Sequence, residues 1–344
     1  PQTKVLDCGE SGLGIRLFTP LAALSDQALT IQGRGSLVQR PMDFFDEVLP
    51  QLGVGVSTQG GKLPLQVKGP LQARSIQIDG SLSSQFLTGL LMAFATTENA
   101  DVVIEVKDLK SKPYIDLTLS VLAHFGWEVV HENHTRFRFQ ARKPQPEQIN
   151  YTVEGDWSGA AFLLVAGAIA GSVTVTGLDV FSTQADKAIL LALGDAGARL
   201  SVREDAIEVS ALPLKAFHFD ATDCPDLFPP LVALAACCSG KTVIEGVSRL
   251  AHKESHRGLT LQEAFGKMGI QIQLQDDLMI IEGGEAQGGE VFSHHDHRIA
   301  MATAVLALRA NGPLSIRDAE AINKSYPAFY QDLKMLQGST HNKF

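Results

Sequence analysis

Apolar and polar positions along the chain follow two periods that take turns. Short β-branched runs at residues 28–31, 102–106, 173–175 and 242–244 predict strands. After each comes a segment with apolar positions three and four apart, as at 42–52 and 259–268, which predicts an amphipathic helix. Four of these helical patterns run into a glycine and then directly into a new apolar stretch: Leu52-Gly53-Val54, Phe125-Gly126-Trp127, Ala196-Gly197-Ala198 and Met268-Gly269-Ile270. Successive glycines lie 73, 71 and 72 residues apart. Each suits the left-handed position that ends a helix, and each precedes a hairpin pattern such as 270–274 with 278–281.

Upstream of each glycine the rest of a repeating unit can be read. A short strand ends in an acidic turn (Leu6-Asp7-Cys8-Gly9, Ile78-Asp79-Gly80, Val153-Glu154-Gly155-Asp156, Phe219-Asp220-Ala221), and an apolar helix of about 12 to 15 residues follows. The predicted unit is β-α-β-α-β-β. A fifth copy starts at Val291 and ends after a second helix at 326–336, without the closing hairpin. Units of this length exceed solenoid repeats and alternate strand with helix, which predicts compact α/β globules. The polar, proline-bearing stretch Lys143-Pro144-Gln145-Pro146-Glu147-Gln148 predicts two domains, 1–146 and 147–344. If the units are related by pseudo-rotation, the N-termini of their first helices converge at one end of each globule, and two such ends opposed across a hinge would form an anion-binding cleft.

Composition narrows the class. With 45% hydrophobic and 19% charged residues among 344, the chain is not disordered. A formal charge of −9 argues against a nucleic-acid coat or a polybasic membrane binder, so any anionic ligand has to be held by a local cluster. The cysteines, Cys8, Cys224, Cys237 and Cys238, lack the spacing of a zinc site or a disulfide framework, which fits a reducing compartment. The apolar runs at 160–170 and 231–238 are too short for membrane spans and predict buried helices of a soluble protein. The opening Pro1-Gln2-Thr3-Lys4-Val5 has no initiator Met, basic region or signal core, and reads as a chain that begins partway through something.

The candidate chemistry sits at the first-helix starts: Gly9-Glu10-Ser11-Gly12-Leu13-Gly14 before Arg16, Ser81-Leu82-Ser83-Ser84-Gln85, Asp223-Cys224-Pro225-Asp226 and His294-His295-Asp296-His297-Arg298. Ordinary helix capping is the plain alternative for any one of them taken alone. Basic residues occupy nearby loops: Arg40, Lys253, Arg257, Arg298 and Lys324. Arg suits bidentate recognition of carboxylate or phosphate, and Lys supplies a mobile charge. Glu254, inside the Lys253/Arg257 cluster, and Asp226 are candidate acid/base carboxylates. His294, His295 and His297 point in different directions and lack a completing acid, which weighs against a metal. No dinucleotide, P-loop or nucleophile-elbow motif is present.

Four segments together resemble the EPSP synthase family: Asp79-Gly80-Ser81-Leu82-Ser83-Ser84-Gln85-Phe86-Leu87-Thr88, Ser111-Lys112-Pro113-Tyr114-Ile115-Asp116, His252-Lys253-Glu254-Ser255-His256-Arg257 and Asp296-His297-Arg298-Ile299-Ala300-Met301. The resemblance implies two globules with pseudo-threefold symmetry, an enolpyruvyl transferase-like inside-out α/β barrel. It implies transfer of the enolpyruvyl group of phosphoenolpyruvate to the 5-hydroxyl of shikimate 3-phosphate, in aromatic amino-acid biosynthesis. No metal or organic cofactor is implied, nor a nucleic-acid or membrane partner; a cytoplasmic monomer is, with a plastid location left open. It assigns Ser83, Ser84, Gln85, Ser111, Asp226 and Lys253 to shikimate 3-phosphate. Gly12, Arg40, Gln85, Arg257, Arg298 and Lys324 match the phosphoenolpyruvate positions, with Asp226 and Glu254 catalytic.

The chain departs from that family in three places. Its first turn usually reads Gly-Asn-x-Gly-Thr, against Gly9-Glu10-Ser11-Gly12-Leu13 here; His256 stands for Asp, and Ser36 for an Arg of some members. The family's Lys-Ser-x-x-x-Arg segment lies upstream of Pro1, so the expectation is a truncated or incompletely recorded enzyme of this family, with a truncated noncatalytic anion-binding fragment as an alternative. The related UDP-N-acetylglucosamine enolpyruvyl transferase is a further one, disfavoured by Ser83-Ser84-Gln85 with Ser111-Lys112-Pro113-Tyr114.

Overall fold

The computed structural model describes residues 3–97 and 101–338. All four repeat glycines adopt the left-handed backbone, with φ of 77° at Gly53, 86° at Gly126 and Gly197, and 84° at Gly269. An L side chain is strained there, which is why a glycine recurs at that point in each copy.

The first copy comprises β1 (Val5–Asp7), α1 (Gly12–Ala22), β2 (Ala28–Gln32), α2 (Asp43–Val48), β3 (Gly55–Ser57) and β4 (Leu65–Lys68), with sheet order β1-β2-β4-β3. The β1/β2 pair is parallel and the others antiparallel. The second copy repeats this as β5 (Ile76–Asp79), α3 (Ser84–Ala95), β6 (Val103–Lys107), α4 (Lys112–His124), β7 (Val129–Glu132) and β8 (Arg136–Phe139), order β5-β6-β8-β7. These two copies form one compact unit, ending at Tyr151; a second begins at Thr152.

The second unit holds α5 (Trp157–Ala170), β9 (Ser172–Thr176), α6 (Ile189–Asp195), β10 (Arg199–Val202) and β11 (Ala206–Ser210). Its next copy is β12 (His218–Asp220), α7 (Phe228–Ala236), β13 (Lys241–Glu245), α8 (Arg257–Lys267), β14 (Gln271–Gln275) and β15 (Leu278–Glu282), again in the order β12-β13-β15-β14. The last copy has β16 (Gln287–Phe292), α9 (His297–Ala307), β17 (Asn311–Arg317) and α10 (Phe329–Gly338), with β16 and β17 parallel.

The first helices α3, α5, α7 and α9 are buried along most of their length, whereas α1 leaves Leu13 and Phe18 about half exposed. Within the second unit α5, α7 and α9 pack against one another in all three pairings, and within the first α1 packs on α3. The sequence allows this because α5 and α7 are apolar on every side: all nine residues of α7 are buried. A helix hydrophobic all round can only be stable inside.

Three expectations change. The strand anticipated at Val153-Glu154-Gly155-Asp156 is absent, and that copy's sheet has only β10-β11-β9. Val153 is 81% exposed, and the Gly155 N–H donates to Gly177 O at 3.1 Å in place of a strand ladder. The helix anticipated at 42–52 breaks into α2 and a 3-10 turn, Leu49–Leu52, because Pro50 has no N–H to continue the ladder. The helix anticipated from 326 starts at Phe329, since Pro327 disfavours helical geometry at Tyr326. No helix among the described residues is long and apolar enough to cross a membrane.

Candidate active site

In the first unit, the N-terminal ends of α1 and α3 bring Gly12, Arg16, Arg40 and Gln85 together. Gly12 leaves room for both guanidinium groups: a Cβ there would displace Arg40 Nη1 and lie 3.7 Å from Arg16 Nη1. Both arginines are buried, and Arg16 Nη1 donates to Gln85 Oε1 at 2.8 Å. Ser83 caps α3 by accepting from the Gln85 N–H at 3.3 Å, and Ser84 is buried behind it. Ser111, also buried, precedes α4 with φ of 55°, a left-handed conformation that costs a non-glycine residue about 1 kcal/mol. Thr88 of α3 and Thr118 of α4 link the two helices through their hydroxyls at 3.2 Å. Sequence reasoning named Gly12, Arg40, Gln85 and the serines but left Arg16 without a role. Its signal is its place one helical turn beyond Gly12, on the same face.

In the second unit, a network of charges joins the starts of α7, α8 and α9. Asp226, in the 3-10 turn leading into α7, accepts from Lys253 Nζ at 3.1 Å, Arg257 Nη1 at 3.0 Å and Arg298 Nη2 at 3.2 Å. Arg257, fully buried, also donates to Glu254 at 2.5 Å and through Nε and Nη2 to both oxygens of Asp296, at 2.9 and 3.1 Å. Asp296 caps α9 through the Arg298 N–H at 3.0 Å and accepts from Ser255 Oγ at 3.0 Å. Lys324 Nζ donates to the carbonyl of His295, one residue before that cap, at 2.6 Å. Asp296 is the member that sequence reasoning quoted without assigning; a buried carboxylate that both caps a helix and clamps a guanidinium is the part that orients Arg257.

These contacts set the ionisation. Burial alone would raise the Asp226 carboxyl, but Arg298, Lys253 and Arg257 outweigh it and hold the group well below the usual carboxylate range. Burial lowers the Lys253 ammonium despite Asp226 beside it. Burial likewise disfavours the Arg257 guanidinium, yet Asp296, Glu254 and Asp226 reverse this and keep it charged. The three cations Lys253, Arg257 and Arg298 are matched by the three acids Asp226, Glu254 and Asp296.

Capping accounts for part of the polar helix starts: Ser11 accepts from the Gly14 N–H at 2.9 Å and Asp156 from Ser158 and Gly159 at 2.9 and 3.1 Å. The histidine run separates, with His294 on Glu263, His295 on Asp318 and His297 buried. Asp116, His131 and His134 are grouped within 4.8 Å. There the His131 Nδ1 accepts the His134 N–H at 3.0 Å, so a neutral ring carries its proton on Nε2, facing the carboxylate. That is the reverse of the tautomer a ligating Nε2 requires.

Copies of this kind, with their first helices packed together, form a fold that this chain shares with solved enolpyruvyl transferases. The enolpyruvyl transferase NikO from Streptomyces tendae shares the fold at a TM-score of 0.69 and 18% identity, covering 94% of this chain and 76% of that one. A solved EPSP synthase from Acinetobacter baumannii superimposes at a TM-score of 0.77 with 28% identity, covering 97% and 79%. The 3-phosphoshikimate 1-carboxyvinyltransferases of Clostridium novyi and Clostridium kluyveri are 35% and 36% identical over 98% and 96% of this chain, and 78% of each relative's length. The family model for EPSP synthase (3-phosphoshikimate 1-carboxyvinyltransferase) matches residues 1–333. The chain belongs to the EPSP synthase family and is an enzyme of that family.

Proposed function

We propose that this chain performs its family's reaction, transfer of the enolpyruvyl group of phosphoenolpyruvate to the 5-hydroxyl of shikimate 3-phosphate, with the residues gathered at these helix starts. Ser83, Ser84, Gln85, Ser111, Asp226 and Lys253 hold shikimate 3-phosphate. Gly12, Arg40, Gln85, Arg257, Arg298 and Lys324 hold phosphoenolpyruvate, Arg257 and Arg298 on its carboxylate. Helix N-termini and arginines offset the repulsion between two anionic substrates.

The observation that carries this reading is that both candidate carboxylates, Asp226 and Glu254, sit on the same Arg257 guanidinium. An entering carboxylate competes with Asp226 for Arg257 and Arg298. As those cations turn to the substrate, Asp226 loses the partners that keep it a weak base and becomes able to take the hydroxyl proton. Glu254, released in the same way, takes a proton from solvent as the substrates bind; the oxygen then bonds to C2 of phosphoenolpyruvate while Glu254 passes that proton to the methylene carbon, giving a tetrahedral intermediate. Departure of phosphate, which carries off the proton held by Asp226, and return of a methyl proton to Glu254 restore the double bond.

Phosphate release with both substrates tests this. Asp226→Asn and Glu254→Gln are each expected to lower kcat by roughly 10²- to 10⁴-fold. Turnover unchanged in either variant would remove that residue from the mechanism.

A further inference from the structure

We propose that Arg16 is a positioning residue that fixes which end of the Gln85 amide faces the substrates. This rests on the reading of Gln85 as a substrate-binding residue.

An amide side chain has one accepting and one donating end, and rotation by half a turn exchanges them. Arginine has donors only, so the atom of Gln85 facing Arg16 Nη1 at 2.8 Å has to be the oxygen. The amide NH2 is thereby left for the rest of the site. A donor attracts the oxygens of an anion, while the flipped amide would present its carbonyl and repel them.

The pair is held by the helices themselves. Gln85 and Gly89 lie four residues apart on one face of α3. Gly89 lets α1 approach so closely that a Cβ there would collide with the Arg16 carbonyl oxygen and meet Pro20 Cγ at 3.1 Å. Pro20 lies inside α1 and has no N–H to give that carbonyl, so α1 can turn it toward α3. The backbones therefore meet at Arg16 and Gly89, and the guanidinium reaches Gln85 one turn nearer the helix starts. The Arg16 guanidinium also lies over the Phe86 ring, 4.9 Å from its centre, which limits its swing. Its charge stands beside the Gly12 position shared with Arg40.

The test is a set of steady-state kinetics and thermal midpoints for Arg16→Met, Arg16→Lys, Gln85→Ala and the doubles with Gln85→Ala. Arg16→Met is expected to lower kcat/KM for both substrates on the order of 10²-fold, the cost of misplacing a binding group. Arg16→Lys, which keeps a donor, should recover part of that loss. In the Gln85→Ala background either substitution should have almost no further effect, because the group it orients is gone. Equal losses in both backgrounds would overturn the proposal, as would wild-type kinetics for Arg16→Met beside an impaired Gln85→Ala. Should Arg16→Met not fold, Arg16→Lys in the two backgrounds makes the same comparison. If Gln85→Ala itself turns over normally, the reading of Gln85 as a substrate ligand fails, a separate result.

Discussion

At the scale of single residues the second unit's charge network governs how the protein responds to acid. His297 is buried one residue beyond the Asp296 cap, and burial and then Arg298 push its imidazole down to about 4, against the opposing pull of Glu254 and Asp296. An unfolded chain would titrate this group near 6.5. Stability from this residue is therefore undiminished above that value and falls as the pH drops toward 4, because the unfolded state takes up a proton that the native state refuses. The loss is on the order of 3 kcal/mol. Asp226, held below 3.8, contributes stability that disappears only at more acidic pH, so the two effects occupy separate windows. Denaturant unfolding of wild type and His297→Gln between about pH 7 and 4 should show a shallower pH slope for the variant; parallel slopes would refute the assignment. Residue types at this scale were legible in the sequence: Asp226, Lys253, Glu254, Arg257 and Arg298 all meet in one network. The partner of Arg257 was not, since Asp296 lies 39 positions away and only packing of α8 against α9 brings it near.

At the scale of elements the helix starts divide into those that spend a side chain on capping and those that do not. Ser11, Ser83, Asp156 and Asp296 cap their helices. His256, at the start of α8, makes no side-chain cap bond, with φ of −73° and ψ of 77°. The family's usual residue there is Asp, a strong cap. His256→Asp is expected to stabilise the protein by about 1 kcal/mol, seen as a rise of roughly 2–4 °C in the thermal midpoint. A midpoint that stays or falls would mean the new carboxylate is repelled by Glu254 and Asp296 more than the helix start gains. Strands and helices with strong periodicity were foreseen to within a few residues; prolines moved the ends. Pro50 and Pro327 act through a missing N–H and a restricted neighbour, local effects that apolar spacing does not register. The missing strand at 153–156 has another cause. Three of its four residues, Glu154, Gly155 and Asp156, are of types depleted in strands, and Val153 is left exposed.

For the whole molecule, the segment joining the two units is an exposed stretch of backbone without regular structure. Residues 141–150 are almost all exposed and carry no helix or strand. Brief digestion with a broad-specificity protease is expected to cut there first and leave two resistant fragments; first cuts inside the four-stranded sheets would contradict this. The first helices pack against one another within each unit, α1 on α3 and α5, α7 and α9 together, so cleavage between the units should leave both cores intact.

The repeat has a consequence at this scale too. Asp226 and Arg298, which bind each other, stand 72 positions apart, the period separating the repeat glycines. Arg16 and Gln85 stand 69 apart. Copies packed around a shared interior bring equivalent helix starts together, so side chains one period apart become neighbours.

The amino-acid sequence by itself determined the unit, its number of copies, the glycines that close its helices and the kinds of side chain at each helix start. These follow from backbone freedom, apolar spacing and chemistry within a few residues of each position. Only the tertiary structure decided which charge meets which, that Arg16 pairs with Gln85, and that one copy lacks its opening strand. Those outcomes depend on burial and on approaches between helices distant along the chain, such as α3 resting against α1 where Gly89 has no side chain.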